Sequence, residues 1–340
     1  MKAILLAGGK GTRLKAVTGE LPKPLVPLLG RPLAEHILRL LKKHGFTQVC
    51  AALQYRPEDV MAALGDGSGL GIRLEYRIEN RELGTAGAVK HCADFIGNED
   101  VLIISGDAAC DLDLTMLWEK HRERGAAVTL ALTRDAQPLR FGLAVTDESG
   151  AIRSFVEKPD WSRVVSDLVN TGIYILSPRA LAAIPTDREF DFARDLFPLL
   201  LQQGELLLGV TVPGYWCDVG TPLSYYRCCV DALEGRLQLE PEEAWKTPAA
   251  EEKPVGAPEG FSLDFSCRDR AALMGRLSQW MLELPADYSD GIRLRQPGFD
   301  LHICPLGDRS ALRIAVNALD AEFARRLAFS ARDLARALEE

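Results

Sequence analysis

The sequence predicts an α/β protein: a mostly parallel, doubly wound sheet domain over residues 1–235, a linker over 236–258 and a small α+β domain over 259–340. Three observations predict it. Short apolar runs of strand length alternate with stretches whose apolar residues recur at helical spacing. The first such run, Ala3-Ile4-Leu5-Leu6, leads straight into a glycine turn. Past Leu233 the chain turns to Pro, Glu, Ala and Gly before a second set of short elements begins.

In chain order, Ile4–Leu6, Val49–Leu53, Val101–Ser105 and Val128–Leu132 read as buried strands. Between them, Leu33, Ile37, Leu40 and Leu41 mark one helix and Leu114, Leu117 and His121 another. Strands alternating with helices pack as a mostly parallel sheet covered on both faces, with right-handed crossovers. Ligands then bind at the carboxyl ends of the strands. The turn Gly8-Gly9 and the pair Gly106-Asp107 both fall at such ends, so the fold can bring them together. Pro241, Pro248, Pro254 and Pro258 give the linker its character. Beyond it, Phe261–Phe265 reads as a strand, and Leu273, Leu277, Trp280, Met281 and Leu284 as one face of a helix. Gly291–Leu294 and Asp300–Cys304 read as strands joined by Pro297-Gly298, and Leu312–Val316 as another. Phe323, Leu327, Leu334 and Leu338 mark a last helix, giving the order βαβββα. No hexapeptide repeat of the β-helix kind is present.

Bulk properties narrow the function classes. With 340 residues, 47% hydrophobic and 26% charged, the chain has an ordinary globular composition and the length of two domains. A net charge of −8 disfavours nonspecific nucleic-acid binding. The apolar start is too short for a signal peptide, and no run approaches a membrane span, so a cytoplasmic location without membrane partners is expected. The eight cysteines show neither Cys-x-x-Cys nor zinc spacing and read as buried packing residues of a reducing compartment.

The chemistry-bearing signal is Leu6-Ala7-Gly8-Gly9-Lys10-Gly11-Thr12-Arg13-Leu14, followed by Leu21-Pro22-Lys23-Pro24. Glycines free backbone N–H groups to approach an anion, and Arg13 and Lys23 add full positive charge, a combination suited to nucleotide phosphates. It is not a P-loop, because Lys10 is followed by Gly11 rather than Ser or Thr. It is not a dinucleotide fingerprint, because Leu14 stands where a third glycine belongs.

The segment resembles the sugar-nucleotide pyrophosphorylases, nucleotidyltransferases that join a nucleoside triphosphate to a sugar 1-phosphate. The resemblance continues, in order, through Glu79 with Leu83-Gly84-Thr85-Ala86-Gly87, Ser105-Gly106-Asp107, Phe155-Val156-Glu157-Lys158-Pro159, Val169-Asn170-Thr171-Gly172-Ile173-Tyr174 and Gly214-Tyr215-Trp216-Cys217-Asp218-Val219-Gly220. It implies a Rossmann-like nucleotidyltransferase domain. It also implies that Leu6, Ala7, Gly8, Gly9, Gly11, Thr12, Arg13, Glu79, Gly84 and Thr85 bind the nucleotide. Gly142, Glu157, Lys158, Asn170 and Thr171 would bind the sugar phosphate. Arg13, Lys23, Asp107 and Asp218 would be catalytic, with Asp107 and Asp218 sharing Mg²⁺. Either aspartate taken alone reads better as a helix N-cap; the two matching their motifs together favours metal ligation. Asp111, Asp113 and Thr115 read as capping or solvating the following helix.

Base choice is addressed by Glu79. A carboxylate only accepts hydrogen bonds, and guanine presents N1–H and N2–H₂ side by side, whereas uracil and thymine suit a Gln amide. GTP is therefore the expected nucleotide, and the resemblance implies mannose 1-phosphate as its partner; a UTP- or dTTP-dependent glucose-1-phosphate enzyme is the alternative. A catalytically silent sensor of nucleotide sugars is another, opposed by the presence of Arg13, Lys23, Asp107 and Asp218 together. The tail resembles the last domain of phosphomannomutases through Asp290-Gly291-Ile292 and Cys304-Pro305-Leu306-Gly307-Asp308-Arg309-Ser310-Ala311-Leu312-Arg313-Ile314. The whole chain thus resembles bacterial fusions of a guanylyltransferase with a phosphomannomutase. It lacks the phosphoserine loop, and Cys304 and Asp308 alter the phosphate loop, so the tail is expected to serve packing, homo-oligomer formation or phosphosugar sensing through Arg309 and Arg313.

Overall fold

The computed structural model describes residues 1–9, 21–135, 141–157, 166–186, 188–233, 235–240, 260–281, 286–287, 291–296, 299–306, 311–318 and 321–339. The chain divides into two compact units. One comprises Met1–Gly9, Ile37–Gly106 and Asp111–Trp216; the other, as far as it is described, comprises Lys10–His36, Asp107–Cys110 and Cys217–Glu340.

The first unit is built on strands β1 (Lys2–Leu6), β2 (Gln48–Leu53), β3 (Arg73–Ile78), β4 (Val101–Ser105), β5 (Val128–Arg134), β6 (Gly142–Thr146), β7 (Ile152–Glu157), β8 (Leu168–Leu176) and β9 (Leu207–Thr211). Among the described residues these nine form one sheet in the order β7-β6-β8-β4-β1-β2-β3, with β5 pairing both β8 and β9. β1 runs parallel to β2 and β4, β2 to β3, and β5 to β9. β8 opposes β4, β5 and β6, and β7 opposes β6. All the strands except β7 and β8 therefore share one direction.

Continuous burial explains the parallel core. Ala3–Leu5, Val49–Leu53, Val101–Ile104 and Val128–Leu132 are buried at every position, as strands covered on both faces require. Each such Leu or Ile contributes roughly 1.5–3 kcal/mol by leaving water. Helix α1 (Leu33–Lys43) buries Leu33, Ile37, Leu40 and Leu41 and exposes Lys42 and Lys43, as its spacing predicts. Helix α2 (Gly84–His91) carries the Gly-Thr-Ala-Gly motif. Helix α3 (Leu114–Arg124) is capped by Asp113, whose Oδ1 accepts the Met116 N–H at 3.0 Å. Of the other two expected capping groups, Asp111 instead accepts the Tyr215 N–H at 2.6 Å, and the Thr115 hydroxyl pairs with His44.

In the second unit, Pro27–Leu28 and Arg31–Pro32 form a hairpin whose two turn residues, Leu29 and Gly30, both have positive φ (49° and 80°). That is the type I′ geometry whose twist matches paired strands. Ala108–Cys110 enters a second short ladder, with the strand that ends in Cys217 and Asp218. Helix α4 (Pro222–Leu233) follows; Thr221 caps it, its hydroxyl accepting the Ser224 N–H at 3.2 Å, with proline at the first helical position.

The tail adds β10 (Gly260–Ser266), helix α5 (Arg270–Met281), β11 (Ala286–Asp287), β12 (Ile292–Gln296), β13 (Phe299–Pro305), β14 (Ala311–Ala318) and helix α6 (Ala321–Glu339). Its strands form an antiparallel sheet in the order β10-β14-β13-β12-β11. The two-residue β11 adds a strand to the expected βαβββα order; an Ala-Asp pair has no apolar alternation, and only its pairing with β12 makes it a strand. Along α6 the buried Ala324, Leu327, Ala328, Ala331, Leu334, Ala335 and Leu338 recur at three- and four-residue steps, and Phe329 and Ser330 are buried as well, so the covered face widens at mid-helix. Pro297-Gly298 and residues 241–258 of the linker lie outside the described residues.

No disulfide joins any of the eight cysteines among the described residues, and Cys50, Cys92, Cys110, Cys228, Cys229 and Cys267 are buried. No helix among the described residues is long and apolar enough to cross a membrane.

Candidate active site

The second unit holds the charged centre. Pro22-Lys23-Pro24 enters a 3₁₀ turn, Lys23–Leu25, in which the Pro22 carbonyl accepts the Leu25 N–H at 2.9 Å. The flanking prolines fix φ on either side and present the Lys23 side chain inward, where the residue is only 7% exposed. Its Nζ donates to Asp107 Oδ2 at 2.8 Å and to Asp218 Oδ1 at 3.2 Å. The ladder between Ala108–Cys110 and Trp216–Asp218 makes this possible, since Asp107 precedes one strand and Asp218 ends the other; the Val219 N–H also donates to the Asp107 carbonyl at 3.3 Å. Burial opposes the Lys23 charge, but the two carboxylates and their hydrogen bonds outweigh it, and its pKa is raised. Lys23 is therefore a fixed cation among paired anions.

The first unit holds the glycine turn. The Gly106 N–H donates to the Leu6 carbonyl at 2.8 Å, and a Cβ at Gly106 would lie 2.9 Å from that oxygen, so only glycine lets β4 end so close to β1. The Ala7 N–H donates to the Ala52 carbonyl at 3.0 Å. A Cβ at Gly8 would lie 3.2 Å from the Gln54 Cβ and 3.5 Å from Glu79 Oε1, whereas around Gly9 the space is open. Gly8, Gln54 and Glu79 thus meet beyond the carboxyl ends of β1, β2 and β3. The Glu79 N–H donates to the Leu53 carbonyl at 2.8 Å, and its Oε2 accepts the Leu83 N–H at a long 3.4 Å. Partial burial raises the Glu79 pKa, against the pull of that Leu83 bond.

Gly84 has φ +71°, and a Cβ there would lie 2.7 Å from the Phe190 carbonyl oxygen. That same oxygen accepts the Ala86 and Gly87 N–H groups at 3.0 and 2.9 Å. The Thr85 hydroxyl donates to Asp191 Oδ2 at 2.7 Å and accepts the Phe192 N–H at 3.0 Å. The motif is thereby docked on 190–192, with the Thr85 hydroxyl engaged in the junction.

The expected sugar residues lie on neighbouring strands. Gly142 pairs with Glu157 across β6 and β7, and Leu143, next to Gly142, pairs with Val169, next to Asn170. A register shift between Asn170 and Tyr174 bulges β8 at the Asn-Thr-Gly motif. Gly172 has φ +76°, and a Cβ there would lie 3.2 Å from the Ser105 Cβ. Asn170 accepts the Gly172 N–H at 3.0 Å and donates to the Tyr174 hydroxyl at 2.8 Å. Thr171 is buried, its hydroxyl donating to the Ala131 carbonyl at 2.8 Å.

Residues 2–235 match the nucleotidyl transferase family. The chain belongs to that family. Among its relatives, a UTP–glucose-1-phosphate uridylyltransferase of Synechocystis sp. is 36% identical over 71% of this chain and 64% of its own length. A mannose-1-phosphate guanylyltransferase of Mycobacterium tuberculosis is 36% identical over 68% of this chain and 65% of its own. The chain thus matches just under two thirds of the length of these relatives. Among solved structures, HddC of Yersinia pseudotuberculosis, determined in complex with GMP-PN, superposes with a TM-score of 0.59 at 28% identity, covering 68% of this chain and 99% of that one. A putative glucose-1-phosphate thymidylyltransferase of Bacillus anthracis gives a TM-score of 0.61 at 29% identity, covering 68% and 95%.

Of the residues expected to act in this nucleotidyl transferase, Gly11, Thr12, Arg13 and Lys158 lie outside the described residues, as does Arg309 of the tail. Arg313 is paired with Asp264, its Nε donating to Oδ1 at 2.8 Å. Sequence reasoning missed Gln54. Its signal is positional, since it is the first polar residue after the buried run Val49–Leu53 and so stands at a strand's carboxyl end.

Proposed function

We propose that this chain transfers a nucleoside monophosphate from a nucleoside triphosphate to a sugar 1-phosphate, with GTP and mannose 1-phosphate the preferred pair. The observation that carries this is the buried Lys23 held between Asp107 and Asp218 at 2.8 and 3.2 Å in a chain of the nucleotidyl transferase family.

A phosphate oxygen of the sugar 1-phosphate attacks the α-phosphorus in line, the bond to the β-phosphate bridge breaks, and pyrophosphate leaves. The nucleophile is already ionised at neutral pH, so no general base is required. Bringing two anions together makes positioning and charge neutralisation the main tasks. Lys23 neutralises the α-phosphate and the reacting oxygens, Arg13 and the N–H groups of the glycine turn hold the β- and γ-phosphates, and Lys158 delivers the sugar phosphate. Glu157 and Asn170 orient the sugar.

Asp107 and Asp218 suit Mg²⁺, an ion commonly held by one or two carboxylates completed by substrate phosphates. When bound there, Mg²⁺ supplies charge neutralisation at the α-phosphate.

Glu79 supports guanine, because its carboxylate lies against Gly8 and its bond to Leu83 is long enough to leave acceptor capacity for N1–H and N2–H₂. The name of the Synechocystis relative favours a second reading, UTP with glucose 1-phosphate. Pyrophosphate release with Mg²⁺ across GTP, UTP, dTTP, CTP and ATP, each with mannose, glucose and N-acetylglucosamine 1-phosphates, decides between them. Release with GTP and mannose 1-phosphate alone is expected. Release with UTP and glucose 1-phosphate instead would replace the specificity, and no release with any pair would overturn the enzymatic reading.

A further inference from the structure

The nucleotidyl transferase match ends at residue 235, yet the tail beyond it lies in the same compact unit as Lys23, Asp107 and Asp218. Helix α4 is the link, because it touches the supports of Lys23 and of Asp218 at adjacent residues. At its start the Ser224 hydroxyl accepts the Gly220 and Thr221 N–H groups at 3.1 and 3.0 Å, fixing the short turn that follows Asp218. The next residue, Tyr225, is 3% exposed, and its hydroxyl donates to the Pro27 carbonyl at 2.5 Å. Pro27 begins the hairpin that follows the Lys23 turn, and its neighbour Leu28 is held in turn by His36 Nε2 on its carbonyl at 2.6 Å.

One helical turn beyond Tyr225 stands Cys229, buried against α6. The Ser330 hydroxyl of α6, itself buried, donates to Cys229 Sγ at 3.7 Å, within the longer range of sulfur acceptors. Helix α6 packs on both α4 and the Pro27–Leu28 strand. The Tyr225 hydroxyl is also hydrogen-bonded with the Cys229 thiol, so a polar chain runs from Ser330 in the tail through Cys229 and Tyr225 of α4 to the Pro27 carbonyl.

We propose that helix α6 is a positioning element of the nucleotidyl-transfer site, acting through Ser330, Cys229 and Tyr225 to seat α4, which in turn sets Lys23 and Asp218. Tyr225 is a positioning residue: it touches no reacting atom, and its hydroxyl ties the Lys23 hairpin to the helix that follows Asp218. Removing that hydroxyl takes the Tyr225 partner from the half-buried Pro27 carbonyl, which frees the hairpin to shift and to carry Lys23 with it. Small displacements of a charge-neutralising group cost large factors in rate. The proposal rests on Lys23 and Asp218 being the catalytic pair, but its structural half can be read without any substrate.

The test uses the full chain with Tyr225→Phe, Ser330→Leu and Ser330→Ala. Lysines are labelled with pyridoxal phosphate and borohydride, and labelling of Lys23 is compared by mass spectrometry with that of the exposed Lys43 and Lys120. The expected result is a several-fold rise in Lys23 labelling relative to Lys43 and Lys120 in Tyr225→Phe and Ser330→Leu, and a smaller rise in Ser330→Ala, which loses the hydroxyl on Cys229 without adding bulk. In the active enzyme kcat should fall about ten-fold or more in the first two variants, with both KM values moving less than about three-fold. Lys23 labelling that does not rise, or that rises only together with every other lysine, overturns the proposal. A selective rise in a chain that shows no transfer would leave the coupling standing and sink the proposed reaction instead.

Discussion

At Lys23 the charge balance of the cluster decides what a substitution does. Lys23→Ala removes the cation hydrogen-bonded to both Asp107 and Asp218, and takes its charge from between the two carboxylates. Turnover should fall by about 10²–10³-fold, measured as steady-state pyrophosphate release, with circular dichroism unchanged. Lys23→Arg should not restore it, because a planar guanidinium does not fit a slot shaped for a compact ammonium. Glu79→Gln exchanges an acceptor-only group for one that both donates and accepts, and should shift the kcat/KM ratio from GTP toward UTP or dTTP. An unchanged preference for GTP in that variant would remove Glu79 from base selection. Lys23, Asp107 and Asp218 stood out in the sequence through their motifs and the resemblance these carry, since a strand-end aspartate alone reads as a helix N-cap; that the three side chains meet is visible only in the fold. Gln54 was not, since its place beside Gly8 depends on the parallel pairing of β1 with β2.

Elements differ in how much of them local sequence determines. The parallel strands were readable because burial on both faces demands unbroken apolar runs, and α1 and α6 because one covered face leaves a periodic stripe. The bulge in β8 and the docking of Gly84-Thr85 on 190–192 were not, because both depend on partners distant in sequence: the first on β5, the second on residues 106 positions from Thr85. Thr85 and Thr171 show the consequence, since polar residues in a recognisable motif spend their hydroxyls on backbone and Asp191. Gly84→Ala should destabilise the protein by about 1–3 kcal/mol in urea denaturation, through its positive φ and the clash with Phe190 O. In the α4–α6 contact, burial pushes the Cys229 thiol up from an ordinary 9.0 to about 11 and carries Tyr225 well above its usual value. A raised pKa means that the folded state holds the proton more tightly than the unfolded one. This contribution is fully present below pH 9 and is lost as pH rises toward 11. The melting temperature should therefore drop between pH 9 and 11, and Cys229→Ala should flatten that drop; an equally steep fall in the variant would assign it to other groups.

For the whole molecule, composition and motif order led to an α/β nucleotidyl transferase, while the placement of the tail was beyond reach. Periodicity finds β10, α5, β12, β13, β14 and α6 one by one, but it carries no information on which surface α6 covers. Only the fold shows that Ser330 reaches Cys229 in the helix after Asp218, so that the segment outside the family match shares a compact unit with the charged centre. The most direct measurement is the transfer of labelled α-phosphorus from GTP to mannose 1-phosphate in Mg²⁺, by the wild-type chain and by Asp218→Asn side by side. The wild type should form GDP-mannose and pyrophosphate in equal amounts, and Asp218→Asn should be slower by about 10²-fold with its fold intact. Equal rates in the two proteins, or a wild type that splits GTP without passing the label to the sugar phosphate, would contradict the assignment.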